Sequence, residues 1–299
     1  VALEAHHSKC YHLGMGKNVS KSSLARANQD RDYHIFEEYA YYLVSEARQK
    51  CANHIFKLGG NVYAFDSTTI DLCLSVFWWA KFRKKKGGIK VHTLYDVETQ
   101  IPAFFHITEA SVHDSKVMIE IPYEPSSYYI FDRGYNNFKM LYKIHQIEAY
   151  FVVRAKKNLG YKSIQWKRRL PKNVLSDASV LLTGFYPKQY YPKPLRLVKY
   201  WDEEQEREFT FITNAMHISA LQVAELYKNR WQVELFFKWL KQHLKIKRFW
   251  GTTENAVRIQ IYAAICAYCL VAIIQHDMQL DRSTYEVLQI LSISLTDKT

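Results

Sequence analysis

Cysteine is scarce in this chain and unpatterned. Five cysteines in 299 residues, Cys10, Cys51, Cys73, Cys266 and Cys269, are odd in number and irregularly spaced. That argues against a disulfide framework and for a reducing compartment. Cys266-Ala-Tyr-Cys269 has the C-x-x-C form, but it sits in an apolar segment with no second cysteine pair and reads as core rather than as a redox or zinc motif. The His6-His7-Cys10-His12 cluster likewise has no second half with ligand spacing. Long hydrophobic runs are missing too. The longest, Ile261 to Ile274, is too short to span a bilayer comfortably, so it reads as a buried helix and no membrane partner is expected. The first residues, Val-Ala-Leu-Glu-Ala-His-His, lack the charged-then-apolar order of a secretory leader. No G-x-x-x-x-G-K-[ST] loop occurs, so no nucleotide site of that kind is expected. Internal repeats, a heptad seam and segments biased enough for disorder are also absent.

What is present is positive charge and aromatic surface. Forty-one Lys and Arg against 29 Asp and Glu give a formal charge of +12, with 15% aromatic residues. Such a balance points to an anionic partner, most commonly nucleic acid. The length permits a full core in one large domain or two to three smaller ones.

The most patterned stretch is Tyr227 to Lys241, Tyr-Lys-Asn-Arg-Trp-Gln-Val-Glu-Leu-Phe-Phe-Lys-Trp-Leu-Lys. At about 100° per residue on a helix, Tyr227, Arg230, Glu234 and Lys241 fall within roughly 60° of one another. Leu226, Val233, Phe237, Leu240 and Leu244 form an adjoining apolar stripe. Two readings of the polar strip are open: a surface ion-pair ladder with Arg230 and Glu234 at i,i+4, or a metal-binding acid flanked by phosphate-gripping cations.

Two further stretches favour the second. Val62-Tyr63-Ala64-Phe65-Asp66-Ser67-Thr68-Thr69 and Tyr128-Tyr129-Ile130-Phe131-Asp132-Arg133-Gly134-Tyr135 are β-branched or aromatic runs that end in an aspartate followed by turn-prone residues. Each reads as a buried strand carrying an acid to its end. Asp66, Asp132 and Glu234 together would supply hard oxygen ligands of the number and type suited to two Mg²⁺ or Mn²⁺ ions at a phosphodiester.

On these residues the chain resembles the IS4-type DDE transposases of bacterial insertion sequences. Tyr227, Arg230, Glu234 and Lys241 match that family's Y-(2)-R-(3)-E-(6)-K signature, and Asp66-Ser67-Thr68-Thr69 and Asp132-Arg133-Gly134-Tyr135 match its two aspartate motifs, the whole covering roughly residues 59 to 275. The resemblance implies an RNase H-like fold with Asp66, Asp132 and Glu234 as the catalytic triad. Some members trap a flipped base on an aromatic side chain in the strand before the signature helix; Phe209 is the counterpart here by position. Tyr227, Arg230 and Lys241 are expected to grip the phosphates beside that base.

Along the chain, residues 1–58 read as a helical segment, with Leu24, Phe36, Tyr39, Leu43 and Ala47 at helical intervals and a break near Asn28 to Asp32. This segment either helps bind DNA or packs on the catalytic domain. Gly59-Gly60 marks a boundary. Residues 59–155 read as the first part of an RNase H-like domain in β-β-β-α-β-α-β order. Within it Phe77 to Lys86 is a basic run without acids, whose Lys84, Lys85 and Lys86 are expected to contact DNA phosphates. Asp114 is expected to cap a short helix.

Residues 156–208, rich in Lys, Arg, Tyr and Pro, read as a β-rich insertion, and 209–285 as the second part of the catalytic domain, with Ser219 as a helix N-cap. Residues 286–299 form a tail. The fold class is therefore α/β, an RNase H-like mixed sheet flanked by helices, with an inserted β-rich subdomain. A first residue other than Met and an ending Leu-Thr-Asp-Lys-Thr read as a chain truncated at one or both ends.

The function expected is a metal-dependent DNA transposase, cytoplasmic and nucleoid-associated when bound. It would cut the ends of an insertion element and join them to target DNA by hydrolysis and transesterification, with Asp66 bridging the two ions. The substrate is double-stranded DNA, and a two-ended reaction implies at least a homodimer in the complex. One competitor is a DNA-binding remnant without catalysis. Another, a phosphatase using Asp66 as nucleophile, needs a second acid two residues on, where Thr68 stands.

Overall fold

The computed structural model describes residues 20–52, 55–83, 86–243 and 249–294. By density of contacts the chain divides into two units, one of residues 1–52, 70–89 and 238–299, the other of residues 53–69 and 90–237.

In the first unit, helices α1 (Lys21–Asp30) and α2 (His34–Lys50) come before the first strand. Ser20 caps α1 by accepting the Ser23 amide at 3.0 Å, and the break expected near Asn28 to Asp32 falls between the two helices. Ala40, Leu43, Val44 and Ala47 of α2 are buried. They lie against a long C-terminal helix (Glu254–Asp277), whose Asn255 closes the α1–α2 turn through the Asn28 carbonyl (2.9 Å) and the Tyr33 amide (3.2 Å). Tyr262 of the same helix hydrogen-bonds Glu37. This helix is, among the described residues, the one long and apolar enough to cross a membrane, but it is sheathed by α2 and, more lightly, by α1 and the last helix (Thr284–Ser294). Cys266 and Cys269 are buried in it, and burial pushes their thiols up to about 11 and about 12. Such thiols are inert core side chains, as the sequence suggested.

The second unit is organised by its sheet. Gly59 takes φ +76°, and Gly60 passes so close to Ser126 that a Cβ would lie 2.0 Å from its carbonyl oxygen. Both positions favour glycine, the first by its backbone conformation and the second by the close approach of Ser126. Strands β1 (Val62–Leu72), β2 (Lys81–Arg83), β3 (Lys86–Asp96) and β4 (Ile101–Glu109) follow in the chain, of which β2 and the adjoining ends of β1 and β3 belong to the first unit. Then come a one-turn helix α3 (Asp114–Val117), β5 (Tyr128–Phe131), α4 (Phe138–Gln146) and β6 (Tyr150–Arg154). β1, β5 and β6 run parallel, β3 lies beside β1, and β4 pairs with β3. This is the RNase H-like mixed core expected from the β-β-β-α-β-α-β order, with β2 as a short addition.

The stretch expected as an insertion, residues 156–208, and the strand that leads out of it extend the same sheet. β7 (Tyr161–Trp166), β8 (Val174–Leu182), a short helix α5 (Phe185–Tyr190), β9 (Leu195–Asp202) and β10 (Arg207–Thr213) lie in the spatial order β6-β10-β9-β8-β7, each antiparallel to its neighbour. Alternation along the strands divides the core. Tyr63, Phe65, Tyr129, Phe131, Phe151, Val153 and Ile212 share one face with Leu141 and Ile144 of α4. The residues between them face the other way, where helix α6 (Ala220–Lys228) packs on β5, β6 and β8–β10. Ser219 caps α6 in a reciprocal box with Gln222, its hydroxyl taking the Gln222 amide and the Gln222 side chain the Ser219 amide, as the sequence led one to expect.

One expectation needs correcting. Tyr227 to Lys241 is not a single helix: α6 ends at Lys228 and α7 spans Trp231–His243. The cause is Asn229, whose side-chain amide bonds back to the Glu225 carbonyl at 2.9 Å and whose side-chain oxygen takes the Gln232 amide group at 2.9 Å. Asparagine competes with the helical ladder in this way. Arg230 and Val233 then bond three residues back, to Tyr227 and Arg230. The turn stays right-handed and Arg230 remains one turn before Glu234. The adjoining apolar stripe is buried as expected at Leu226, Val233, Phe237 and Leu240; Leu244 lies outside the described residues.

Candidate active site

The register of the parallel strands brings the two aspartates together. Val62 to Phe65 pair with Tyr128 to Phe131, and Phe131 pairs with Val153. One step further along, Asp66, Asp132 and Arg154 occupy a single rung across β1, β5 and β6, at the carboxyl ends of β5 and β6. All three project to the face that carries α6. Phe211 extends that row, since it pairs with Arg154 from β10.

The break between α6 and α7 delivers the remaining groups. Arg230 donates from Nη1 to Asp66 Oδ2 at 3.1 Å and from Nη2 to Glu234 Oε1 at 2.6 Å. Tyr227 donates its hydroxyl to Asp132 Oδ1 at 3.0 Å. Asp66 also accepts its neighbour Ser67's amide at 2.8 Å and, more weakly, the Tyr135 hydroxyl at 3.5 Å. The hydrogen bonds thus make two groups, Asp66–Arg230–Glu234 and Tyr227–Asp132, with the Arg230 guanidinium carbon 5.7 Å from the Tyr227 ring centre. Lys241 lies further along α7, in the first unit.

Charge crowding is visible at Asp66. Burial first, then the neighbouring Glu234 and Asp132, push its carboxyl up to about 6, against the Ser67 amide and Arg230, which pull it down. Burial and Asp132 push the Tyr227 phenol up to about 12, so it remains a donor. Burial opposes the charge on Arg230, but Tyr227, Asp66 and Glu234 outweigh it and hold the guanidinium above its ordinary value.

A hard-oxygen donor set carrying more negative charge than its one guanidinium neutralises is suited to Mg²⁺ or Mn²⁺. The residues therefore fit such ions chemically. As the side chains stand, no group of three His, Cys, Asp or Glu among the described residues is poised around one ion. The guanidinium stands between two of the three acids.

Beside the acids lies an open cleft of about 890 Å³ under α6, walled by Arg154, Arg207, Phe209, Phe211, Tyr227 and Arg230 among others. Phe209 is buried at its back, with the guanidinium carbons of Arg207 and Arg154 at 4.3 and 4.8 Å from its ring centre and Phe211 stacked at 5.8 Å. Stacking of a base on this ring would require those guanidinium groups to move. Of the basic run, Lys84 and Lys85 lie outside the described residues, and Lys86 begins β3 with its side chain undescribed.

Two features were missed in the sequence. Arg154 is one: it ends the buried run of β6, the same pattern that singles out Asp66 and Asp132. Asp114 was expected to cap α3, but His113 does so through the Ser115 amide. The Asp114 carboxylate instead accepts the Ser67 hydroxyl at 2.8 Å and pairs with Lys90 at 3.1 Å. It grips the residue next to Asp66 from the opposite face of the sheet.

The chain is similar to known proteins over most of its length. The transposase DDE domain family matches residues 57–270, a span that takes in both aspartate strands, the insertion and the signature. A Sinorhizobium fredii protein named as transposase y4zB is 37% identical over 273 residues, covering 89% of this chain and 74% of that protein. A Geobacillus stearothermophilus protein named as a transposase for insertion sequence element IS5377 is 27% identical, covering 83% of this chain and 66% of its own length. A Synechocystis protein named as a transposase for insertion sequence element IS4SA is 25% identical, over 95% of this chain and 80% of its own. With acids, insertion and signature all inside the matched span, the chain belongs to the transposase DDE domain family.

Proposed function

We propose that this protein is a DNA transposase that cuts the ends of its own insertion element and joins them to target DNA, using Asp66, Asp132 and Glu234 to hold two divalent cations. The observation that carries this reading is the rung itself. Asp66 and Asp132 come from paired parallel strands, Arg230 joins Asp66 to Glu234 of α7, and Tyr227 donates to Asp132, all at the carboxyl edge of an RNase H-like sheet. Bound there, Mg²⁺ or Mn²⁺ would supply the positive charge that lowers the pKa of an attacking water or 3′-hydroxyl and offsets charge on the leaving oxygen.

The chain's own side chains have the complementary tasks. Tyr227 fixes the Asp132 carboxylate by donating to one of its oxygens. Ser67's amide does the same for Asp66. Arg154, Arg207 and Arg230 line the cleft with the geometry to take phosphate oxygens in pairs, and Lys241, Lys84, Lys85 and Lys86 add phosphate contacts. Phe209 offers an aromatic face for an unstacked base once its guanidinium cover shifts. Transesterification conserves the phosphodiester bond, so ATP is not needed. A bacterial enzyme of this kind works in the cytoplasm on the nucleoid, and a reaction on two element ends calls for two copies in the DNA complex.

The competing reading is a DNA-binding remnant. A magnesium-dependent nicking assay separates the two, using end-labelled DNA from the flanks of the reading frame where short inverted repeats are found. Asp66→Ala, Asp132→Ala and Glu234→Ala should each abolish cleavage while end-DNA binding stays within a few fold. Cleavage by any of them at the parental rate would show the acids misassigned, and a parent that binds ends without nicking would favour the remnant.

A further inference from the structure

Arg230 stands between two of the three acids. Its guanidinium spans Asp66 and Glu234 with one hydrogen bond to each, at 3.1 and 2.6 Å. These are two of the three acids, and one oxygen of each is already taken. With the guanidinium in place, no three acidic or histidine side chains among the described residues are poised around a single ion. The cation is also incompletely satisfied, because its Nε is buried without a partner. One positive charge against three carboxylates leaves the cluster net negative, so a doubly charged ion would neutralise it better.

We infer that Arg230 and the divalent ion are alternative occupants of the same carboxylate oxygens, so that metal loading turns the guanidinium out into the adjoining cleft, where it can take a DNA phosphate. The inference rests on the triad reading above and adds an order of events to it. In the metal-free chain Arg230 holds Asp66 and Glu234 together and prevents their mutual repulsion from opening the site. When the ion takes over that neutralisation, both hydrogen bonds are given up, and Arg230 is released beside Arg154, Arg207 and Tyr227, which already line the cleft. A guanidinium suits both tasks, since its fork matches either two carboxylate oxygens or two phosphate oxygens. Grip on DNA next to the acids is thereby made conditional on a loaded site.

The test uses the full chain without DNA and has two readouts besides activity. Mn²⁺ binding followed by electron paramagnetic resonance should be roughly tenfold tighter in Arg230→Gln than in the parent, because about one charge-assisted hydrogen bond or more no longer opposes the ion. Arg230→Lys, which keeps the charge without the fork, should fall between the two. Charge removal alone could tighten binding, so the second readout follows the side chain itself. In ¹⁵N-arginine-labelled protein, the resonances lost in Arg230→Lys should shift on saturation with diamagnetic Mg²⁺. Unchanged or weaker Mn²⁺ binding in Arg230→Gln, or Arg230 resonances indifferent to Mg²⁺, would overturn the exchange. Glu234→Gln is the control for the reading underneath: it should weaken Mn²⁺ binding in the parent background. If it does not, the triad assignment fails and the exchange with it; if it does while Arg230→Gln shows no tightening, only the exchange fails.

Discussion

Two arginine–carboxylate assemblies in the same unit show what separates a permanent ion pair from a provisional one. In the insertion, Arg196 is bidentate to Asp177, from Nε at 2.8 Å and Nη2 at 2.7 Å, and its Nη1 reaches the carbonyls of Ala215 (3.3 Å) and Ile218 (2.5 Å). Their side chains are only 2% and 4% exposed. Beside the acids, Arg230 gives one bond to each of two carboxylates, leaves Nε unpartnered, and is 14% exposed against 22% for Asp66 and 32% for Glu234. The first pair is closed, and by holding the loop that leads to Ser219 it fixes where α6 begins. The second is open to solvent, which the proposed exchange of the guanidinium for an ion would need.

The largest effect on stability should come from the closed pair. Asp177→Ala strands a buried guanidinium and should cost about 3–5 kcal/mol in urea unfolding. The adjacent Lys167→Ala should cost at most about 1 kcal/mol, because Lys167 is 55% exposed where it meets Asp177 at 3.2 Å. A loss below about 1 kcal/mol for Asp177→Ala would erase the distinction.

At the open pair the sign reverses. Asp66 is raised from 3.8 to about 6 by burial and by Glu234 and Asp132, so the metal-free fold holds its proton more tightly than the unfolded chain does. Stability should therefore fall as pH rises from about 4 to about 6 and stay lower above that window. Asp66→Asn removes the ionisation and should stabilise the chelator-treated protein at pH 7 by roughly 1–3 kcal/mol, with the difference vanishing below about pH 4. Melting temperature against pH measures it, and a destabilised Asp66→Asn at pH 7 would mean that the Arg230 pair outweighs burial.

The same contrast governs how much was legible in the sequence. Asp66 and Asp132 stood out because each ends a strongly β-forming run, and the sheet register keeps the 66-residue offset that separates them, since Val62 pairs with Tyr128. Glu234 was legible from its spacing to Tyr227 and Arg230, a local property that survives the break at Asn229. The break itself was hidden, because it depends on one side chain choosing backbone partners over the helical ladder. Arg154 and Asp114 were hidden for a different reason. Their roles come from pairing across strands and from the far face of the sheet, which no local pattern encodes. The β-rich character of residues 156–208 was legible, but the join of the following strand β10 to β6 is a tertiary fact.

On the proposed function, Asp66, Asp132 and Glu234 form one divalent-ion site. Iron-directed backbone cleavage tests it most directly: Fe²⁺ in place of Mg²⁺, with ascorbate and peroxide, cuts the chain near the bound ion, and mass spectrometry locates the cuts. Cuts should cluster around Asp66, Asp132 and Glu234, be suppressed by excess Mg²⁺ and be lost in Glu234→Gln. Cuts elsewhere in the chain with these three segments left intact would contradict it.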